Sequence, residues 1–217
     1  MGAVPQIFEV LNMTSSNVEV KIVADRDAES PRTWDNLGVM VCAHRRYDLG
    51  DKSGLQQAVD FVESIYSERE LERMGFDRSH VPSVHAAIES CGKAVLLPLF
   101  LYDHSGITMK TTPFSCRWDS GQVGFIFVSY ETLRSEYGYA RITPKRVQKA
   151  KEHLRGEVET YDQFLTGDVW GFEVVEDGSE DSCWGFYGGD PMTNGMSSHF
   201  SSAVIAEVAA GNFQRIY

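Results

Sequence analysis

Short runs of alternating or continuous apolar residues predict the β-strands of this chain. Val18, Val20 and Ile22 alternate with charged residues, and the apolar run Gln6–Leu11 before them predicts the partner strand of an opening β-hairpin. Pro98 cannot donate a backbone hydrogen bond, so it predicts a bulge or an edge position within its strand. Further apolar runs predict strands at Leu37–Ala43, Ala94–Tyr102, Val123–Ser129, Val169–Val175 and Cys183–Tyr187, of which the last two form a second hairpin.

Apolar residues spaced three and four positions apart predict the helices. The clearest is Pro144–Leu165, because Thr143 is a suitable cap for its first turn and Gly167 follows its end. The acidic residues Glu157, Glu159 and Asp162 predict a solvated face on this helix. The same spacing predicts one helix over Gly54–Met74 and shorter helices at Val84–Cys91 and Ser198–Ala210. The polar segment Asp25–Asn36 is predicted to be a loop.

The order of these elements predicts the fold class. A hairpin, a strand, helices, two strands, a helix, a hairpin and a helix do not alternate as a doubly wound sheet does. The sequence therefore predicts an α+β fold in which helices pack on a mostly antiparallel sheet. No segment is rich enough in Pro, Gly or Ser to mark a linker, so residues 1–217 are expected to form a single domain.

Composition narrows the classes of function. The net charge of −11 at pH 7 disfavours direct binding to nucleic acid phosphates, and it is compatible with plain solubility or with a basic partner. No apolar run approaches the roughly 18 residues of a membrane span, so we expect no membrane association. The first residues predict no secretory signal. The four cysteines are far apart, which is typical of reduced thiols rather than of a disulfide scaffold.

Several strings between Pro31 and Gly188 carry a resemblance to a known group of proteins. They are Pro31–Gly38, His44–Asp51, Leu101–Thr108, Trp118–Ile126, Glu157–Gln163, Leu165–Val169 and Asp181–Gly188. Together they resemble a family of uncharacterised proteins encoded by bacteriophages and other bacterial mobile elements. The resemblance implies a bacterial cytoplasm and an accessory role, of which counter-defence against host immunity is a common kind. It implies no particular reaction and no catalytic residues.

One candidate for catalysis follows the predicted strand Ala94–Tyr102. Asp103, His104 and Ser105 place a carboxylate, an imidazole and a hydroxyl at its end. His104 would be a general base oriented by Asp103, and Ser105 or a cysteine would be the nucleophile. The alternative is a turn, because Asp and Ser at adjacent positions also bond the backbone of turns.

A second candidate is a ligand site made of cations and aromatic rings in the loops. Arginine grips phosphates, and aromatic faces stack on bases, so such loops would suit a nucleotide-like molecule. The residues that we expect to bind this ligand are Trp34, Arg45, Arg46, Tyr47, Trp118 and Asp119, with His104, Lys110 and Arg117 nearby. The alternative is that these arginines pair with Asp48, Asp51 or Asp119 at the surface.

The sequence offers little support for a metal or a cofactor. The candidate metal ligands are Cys42, His44, His104, Cys116 and Cys183, and their spacing matches no standard zinc pattern. The glycines of Gly185–Gly189 do not lead directly into a helix, which disfavours a phosphate cradle. We therefore predict neither a metal nor a cofactor.

The leading functional hypothesis is an accessory protein that interferes with host defence by binding. Its partner would be a nucleotide-like small molecule or a host defence protein, and a homo-oligomer is compatible with the sequence. The alternative is a hydrolase or nucleotide-modifying enzyme that uses His104 and Asp103, so the sequence leaves open whether the protein is an enzyme. A third class is a structural protein of the phage particle. The ligand hypothesis requires that residues near positions 34, 45, 104 and 118 share one recess.

Overall fold

A computed structural model of the protein describes residues 17–217, so the predicted strand Gln6–Leu11 lies outside the described residues. In this range there are eight β-strands and six α-helices, and the predicted α+β class is confirmed. The strands are β1 (Val18–Ala24), β2 (Val39–Cys42), β3 (Ala94–Asp103), β4 (Ile107–Lys110), β5 (Ser120–Ser129), β6 (Val169–Glu176), β7 (Ser179–Tyr187) and β8 (Gln214–Ile216). The helices are α1 (Gly54–Glu63), α2 (Glu68–Met74), α3 (Val81–Cys91), α4 (Tyr130–Tyr137), α5 (Pro144–Thr166) and α6 (Ser202–Ala209). Short 3₁₀ helices occupy Pro31–Thr33 and Met196–His199.

Contacts between residues divide the described chain into two compact units. One unit, called here the terminal unit, contains the described residues up to Asp25 together with Trp170–Tyr217. The other, called here the central unit, is Arg26–Val169. The single domain expected for residues 1–217 stays a prediction.

The central unit is a three-layer structure around an antiparallel sheet with the order β2-β5-β3-β4. Leu154 and Val158 of α5 belong to the apolar cluster on one face of this sheet. Val59 of α1 and Ile88 of α3 belong to the cluster on the other face. Because helices cover both faces, β5 is buried continuously over residues 124–128, which explains why the strand reads as an unbroken apolar run.

A bulge interrupts the pairing of β3 with β5. Leu99 pairs with Gly124 and Phe100 pairs with Gln122, so Val123 is the extra residue on β5. The bulge begins one residue beyond Pro98, and β4 pairs with β3 only from Phe100 onward. Both observations agree with the bulge or edge position that Pro98 predicts.

The helices follow the predicted pattern with two exceptions, since α4 (Tyr130–Tyr137) was not predicted and one predicted helix is divided. The long helix α5 is confirmed, and the Thr143 hydroxyl accepts a hydrogen bond from the backbone N–H of Arg146 in its first turn. The single helix predicted over Gly54–Met74 is wrong, because it divides into α1 and α2. A new helix begins at Ser67, where the Glu70 carboxylate accepts from the Ser67 backbone N–H at 2.8 Å and from its hydroxyl at 2.6 Å. This Ser-x-x-Glu pattern is a sequence signal that the reading of apolar spacing missed.

A buried ionic network ties three segments of the central unit together. The Arg32 side chain is only 3% exposed and donates from Nε to Asp51 at 2.7 Å and from Nη1 to Glu157 at 2.9 Å. Its Nη2 also donates to the carbonyl oxygen of Gly38 at 2.6 Å. The two carboxylates in turn accept from backbone N–H groups, Asp51 from Met40 at 2.8 Å and Glu157 from Leu37 at 2.8 Å. The network holds the segment that precedes β2 against the loop before α1 and against the middle of α5.

The solvated face predicted for α5 is wrong for two of its three acidic residues, Glu157 and Asp162. Glu157 is 8% exposed at its side chain, so it is not part of a solvated face. Asp162, one turn further on, accepts from the backbone N–H of Met109 at 2.6 Å and from the Thr108 hydroxyl at 2.8 Å, and so holds β4 against α5. Glu159 is exposed as predicted, whereas Glu157 and Asp162 face backbone donors, which the spacing of acidic residues did not reveal.

The terminal unit contains a second sheet, with the order β7-β6-β1-β8. The strand β1 is antiparallel to β6 and parallel to β8. The predicted hairpin of β6 and β7 is present, and its turn residues Asp177 and Gly178 have φ angles of 51° and 82°, as a two-residue turn requires. Val204 and Val208 of α6 pack on one face of this sheet with Ile22 and Phe172.

None of the helices formed by residues 17–217 combines the length and the apolar character needed to cross a membrane.

The Arg32 network yields the first testable prediction. Replacing Arg32 with Met should lower the free energy of unfolding by about 3–5 kcal/mol, because Asp51 and Glu157 would remain buried without their cation. Urea unfolding followed by circular dichroism measures this change. The matched control is Arg78→Met, since Arg78 pairs with Glu63 and Glu68 at the surface, where its side chain is 47% exposed. This control should move the unfolding midpoint little. Equal effects of the two substitutions would contradict the assigned role of the network.

Candidate functional site

The direction of three strands brings separate loops to one edge of the central sheet. β2 and β3 are both antiparallel to β5, so they run in the same direction. The C-terminal ends of β2 and β3 and the start of β5 therefore lie at the same edge. Three loops meet there: the one that follows Cys42, the one that follows Asp103 and the one that precedes Ser120.

These loops enclose a shallow recess of about 430 Å³, called here the basin. Its size falls within the roughly 300–1,000 Å³ typical of small-molecule sites. The bulge at Val123 lies in its wall. The residues that line it are Ala43, His44, Arg45, Arg46, Leu101, Asp103, Trp118, Asp119, Ser120, Gly121, Gln122 and Val123. Five of the predicted site residues thus share one recess: Arg45, Arg46, Asp103, Trp118 and Asp119.

Asp103 is held at the base of one wall. Its carboxylate pairs with the Arg46 guanidinium and accepts from the Tyr47 hydroxyl at 3.2 Å. The backbone N–H of Asp103 also donates to the carbonyl oxygen of Asp119 at 2.8 Å. The predicted site residues Arg46, Tyr47, Asp103 and Asp119 are therefore connected directly. Arg46 pairs with Asp103, and not with the acidic residues that the sequence offered as its partners.

The arrangement of His104 differs from the predicted catalytic pair. His104 Nδ1 lies 3.4 Å from an Asp119 carboxylate oxygen, while the Asp103 carboxylate is occupied by Arg46 and Tyr47. The backbone N–H of His104 donates to the carbonyl oxygen of Gly106, and Ser105 has a φ of 58°. Residues 104–106 thus form the turn between β3 and β4. A turn was the alternative to catalysis that the sequence offered for this segment. Asp119, 15 positions away in the sequence, is the carboxylate beside His104.

His44 is a basin residue that the ligand hypothesis did not include. Its ring stacks on the Tyr47 ring, with centroids 5.0 Å apart and planes 11° from parallel. Burial lowers the pKa of His44, and the charges of Arg46 and Arg45 lower it further. Its Nδ1 accepts from the backbone N–H of Arg46 at 3.3 Å, as a neutral ring can. In the sequence, only the position of His44 next to Arg45 and Arg46 could have indicated that it belongs to this site.

Two groups at the rim of the basin face solvent. Trp118 is 96% exposed, which is exceptional for so large an apolar ring. Arg45 is exposed, and none of the ion pairs formed within residues 17–217 includes it. Ser120 and Gln122 add polar side chains, although Gln122 already donates to the carbonyl oxygen of Gly124 at 3.3 Å. The basin thus offers a flat ring, an unpaired guanidinium and hydrogen-bonding groups on one surface.

Trp34 does not join this basin. It precedes β2, whereas Arg45 and Arg46 follow β2, so the two positions lie at opposite ends of the strand. Four residues of strand cover about 13 Å. Trp34 instead borders a separate recess of about 550 Å³, whose lining includes Arg32, Lys52 and Tyr161. Of the predicted ligand residues, Trp34 thus lies at a different recess and Tyr47 contacts the basin residue Asp103, while the others line the basin itself.

The cysteines and histidines do not gather into a metal site. In the part of the chain that the structure describes, no group of three or more His, Cys, Asp or Glu side chains is placed to hold a metal ion. Cys42 is the last residue of β2, and its side chain is partly buried against the apolar cluster that contains Leu154. Burial raises the pKa of Cys42 to about 12, and the charge of Asp51 contributes to the increase. Cys42 is therefore a protonated side chain that packs in the interior, and it is not a nucleophile.

Comparison with known proteins finds no protein-family model, no curated protein and no solved structure that matches this chain.

The pKa of Cys42 yields the second testable prediction. At pH 8.5 its native thiolate population should be lower than that of an ordinary thiol by roughly 10³-fold, so alkylation should be slow. Iodoacetamide labelling of the native protein, followed by peptide mass spectrometry, should leave Cys42 unmodified. The same residue in urea is the control and should react as an ordinary thiol. Rapid labelling of native Cys42 would contradict the burial described here.

Proposed function

We propose that the protein binds a nucleotide-like ligand in the basin and does not transform it. The observation that carries this proposal is that the nearly fully exposed ring of Trp118 and the unpaired guanidinium of Arg45 border one recess. The ligand would bury the ring that now faces water. It would also place a phosphate or another anionic group on Arg45.

Trp118 supports an aromatic ligand. Stacking of a base on an aromatic side chain contributes about 1–3 kcal/mol, and an exposed ring with a free face is available for it. Tyr102 and Phe114, whose centroids are 5.6 Å apart, add further aromatic rings to the neighbouring turn. Lys110 lies over the Phe114 ring at 4.1 Å, so a second cation is close to these rings.

Arg45 supports an anionic group on that ligand. Arg46 is already paired with Asp103, and the two charges balance. Arg45 has no such partner among the described ion pairs, so its donors are available for a phosphate. Asp119 and Asp103, which also line the basin, would repel phosphates, so the anionic end of a ligand would be expected at Arg45.

The resemblance to phage and mobile-element proteins extends the proposal to a biological role. A protein of this kind would act in the cytoplasm of the bacterial host and would withdraw a nucleotide-like signal from the host's defence. A host defence protein as the direct target is the alternative within the same role. Both versions predict that the basin is needed to protect an infecting phage.

The third prediction tests the basin with defined probes. ATP, 3′,5′-cyclic AMP and cyclic di-AMP are titrated against the protein, and tryptophan fluorescence and calorimetry report binding. We expect at least one probe to bind, and we expect Trp118→Ala and Arg45→Met each to raise its Kd about 10-fold or more. The controls are Trp34→Ala, in the separate recess, and Arg73→Met, on α2. Each control should leave the Kd within about two-fold of the wild-type value.

Two results would contradict the proposal. One is that none of the probes binds at millimolar concentration. The other is that Trp34→Ala weakens binding as much as Trp118→Ala, since the two rings border different recesses.

The same samples distinguish catalysis from binding without turnover. The bound probe is recovered after incubation with less than one equivalent of protein and is analysed by chromatography. Intact probe favours binding. Turnover that disappears in His104→Gln would favour a hydrolase or nucleotide-modifying enzyme, in which Asp119 rather than Asp103 would orient His104.

A further inference from the structure

We infer that a small cavity in the terminal unit binds the side-chain cation of a lysine or arginine from a basic polypeptide. This inference goes beyond the proposed function, because it concerns a different unit and a different class of ligand. The cavity has a volume of about 240 Å³. It is therefore below the roughly 300–1,000 Å³ of sites for drug-sized molecules, and a single side chain is the size of ligand that it suits.

Aromatic rings form the walls of this cavity. Phe200 packs against Phe172 with centroids 5.0 Å apart, and His199 lies 5.9 Å from Phe172 and 5.4 Å from Phe186. Phe172 and Val204 are buried and form the floor. Aromatic faces carry partial negative charge, so a cation inside such walls is favoured.

Two carboxylates line the cavity, those of Asp181 and Glu176, and within residues 17–217 neither forms an ion pair. Asp181 has neither an ion pair nor a hydrogen bond from its side chain among the described residues. It shares a face of β7 with Cys183, two positions on, which packs on the apolar core. Glu176 accepts from the Ser201 hydroxyl at 2.9 Å, and Ser201 in turn accepts from the backbone N–H of Val204 at 3.2 Å. These hydrogen bonds hold the Glu176 side chain in place.

The carboxylates and the aromatic rings of the cavity together favour a basic partner. Aromatic walls with two carboxylates would repel a phosphate or a carboxylate and would attract an ammonium or guanidinium group. The protein as a whole carries a net charge of −11, so a basic polypeptide would also be attracted over a longer distance. The cavity would then anchor one side chain of that polypeptide.

The test uses hexalysine as the probe and the full chain as the binding protein. Hexalysine is titrated against labelled protein, and the ring signals of His199 and Phe200 are followed by nuclear magnetic resonance. A hexapeptide of Nε-acetyl-lysine is the uncharged control. We expect hexalysine to shift these signals at saturation and the acetylated peptide to leave them unchanged.

Matched variants separate the cavity from general attraction between charges. Asp181→Asn and Glu176→Gln should each raise the Kd about five-fold or more, and Phe200→Leu should raise it about three-fold. Glu173→Gln removes the same charge from β6, but Glu173 lies between the cavity residues Phe172 and Val174 and so projects from the other face of the strand. It should leave the Kd within about two-fold. Thermal unfolding of each variant confirms that it is folded.

Three outcomes would overturn the inference. The first is that hexalysine leaves the signals of His199 and Phe200 unchanged. The second is that Glu173→Gln weakens binding as much as Asp181→Asn, which would show diffuse attraction to the acidic surface. The third is that the acetylated peptide binds as well as hexalysine. Binding of nucleotides in the basin has no bearing on these outcomes, so each proposal can fail without the other.

Discussion

The Arg32 guanidinium connects three segments of the central unit that are far apart in the chain. It holds Asp51 before α1, Glu157 in α5 and the carbonyl oxygen of Gly38 before β2. Each of the two carboxylates also accepts backbone N–H groups, so the buried charges are compensated on all sides. The start of β2 is fixed by this network, and the loop that leaves its other end takes its position from the same strand. The basin thus depends on a charged group that does not touch it.

The two proposed sites differ in their local charge and lie in different units of the chain. In the central unit, two arginines and two aspartates line the basin, and no ion pair formed within residues 17–217 includes Arg45. In the terminal unit, Asp181 and Glu176 carry negative charge beside aromatic rings. A net charge is only the sum over the chain, and the two proposed sites would bind ligands of opposite sign. The balance around each site, rather than the total of −11, decides what each would bind.

The basin illustrates why strand direction matters more than closeness in the sequence. Trp34 and Arg45 both flank β2, yet they lie at opposite ends of it. Trp118 lies far away in the sequence and still reaches the basin, because β5 runs antiparallel to β2 and begins where β2 ends. His104 likewise lies beside Asp119, and not beside the carboxylate that precedes it. Side chains that are neighbours in sequence alternate in direction along a strand, whereas loops at the ends of paired strands meet.

The sequence by itself determined the elements whose signals are local. Apolar periodicity and a capping threonine identified α5, two apolar runs identified the hairpin of β6 and β7, and the irregular order of elements indicated an α+β fold. Only the tertiary structure decided what depends on pairing over a distance. It joined Arg32 to Glu157 across 125 positions and turned Asp162 toward β4, and it separated Trp34 from Trp118. The physical reason is that apolar periodicity shows only which side chains are buried. The order and direction of the strands determine which loops and side chains come into contact, and they are set by the packing of the whole sheet.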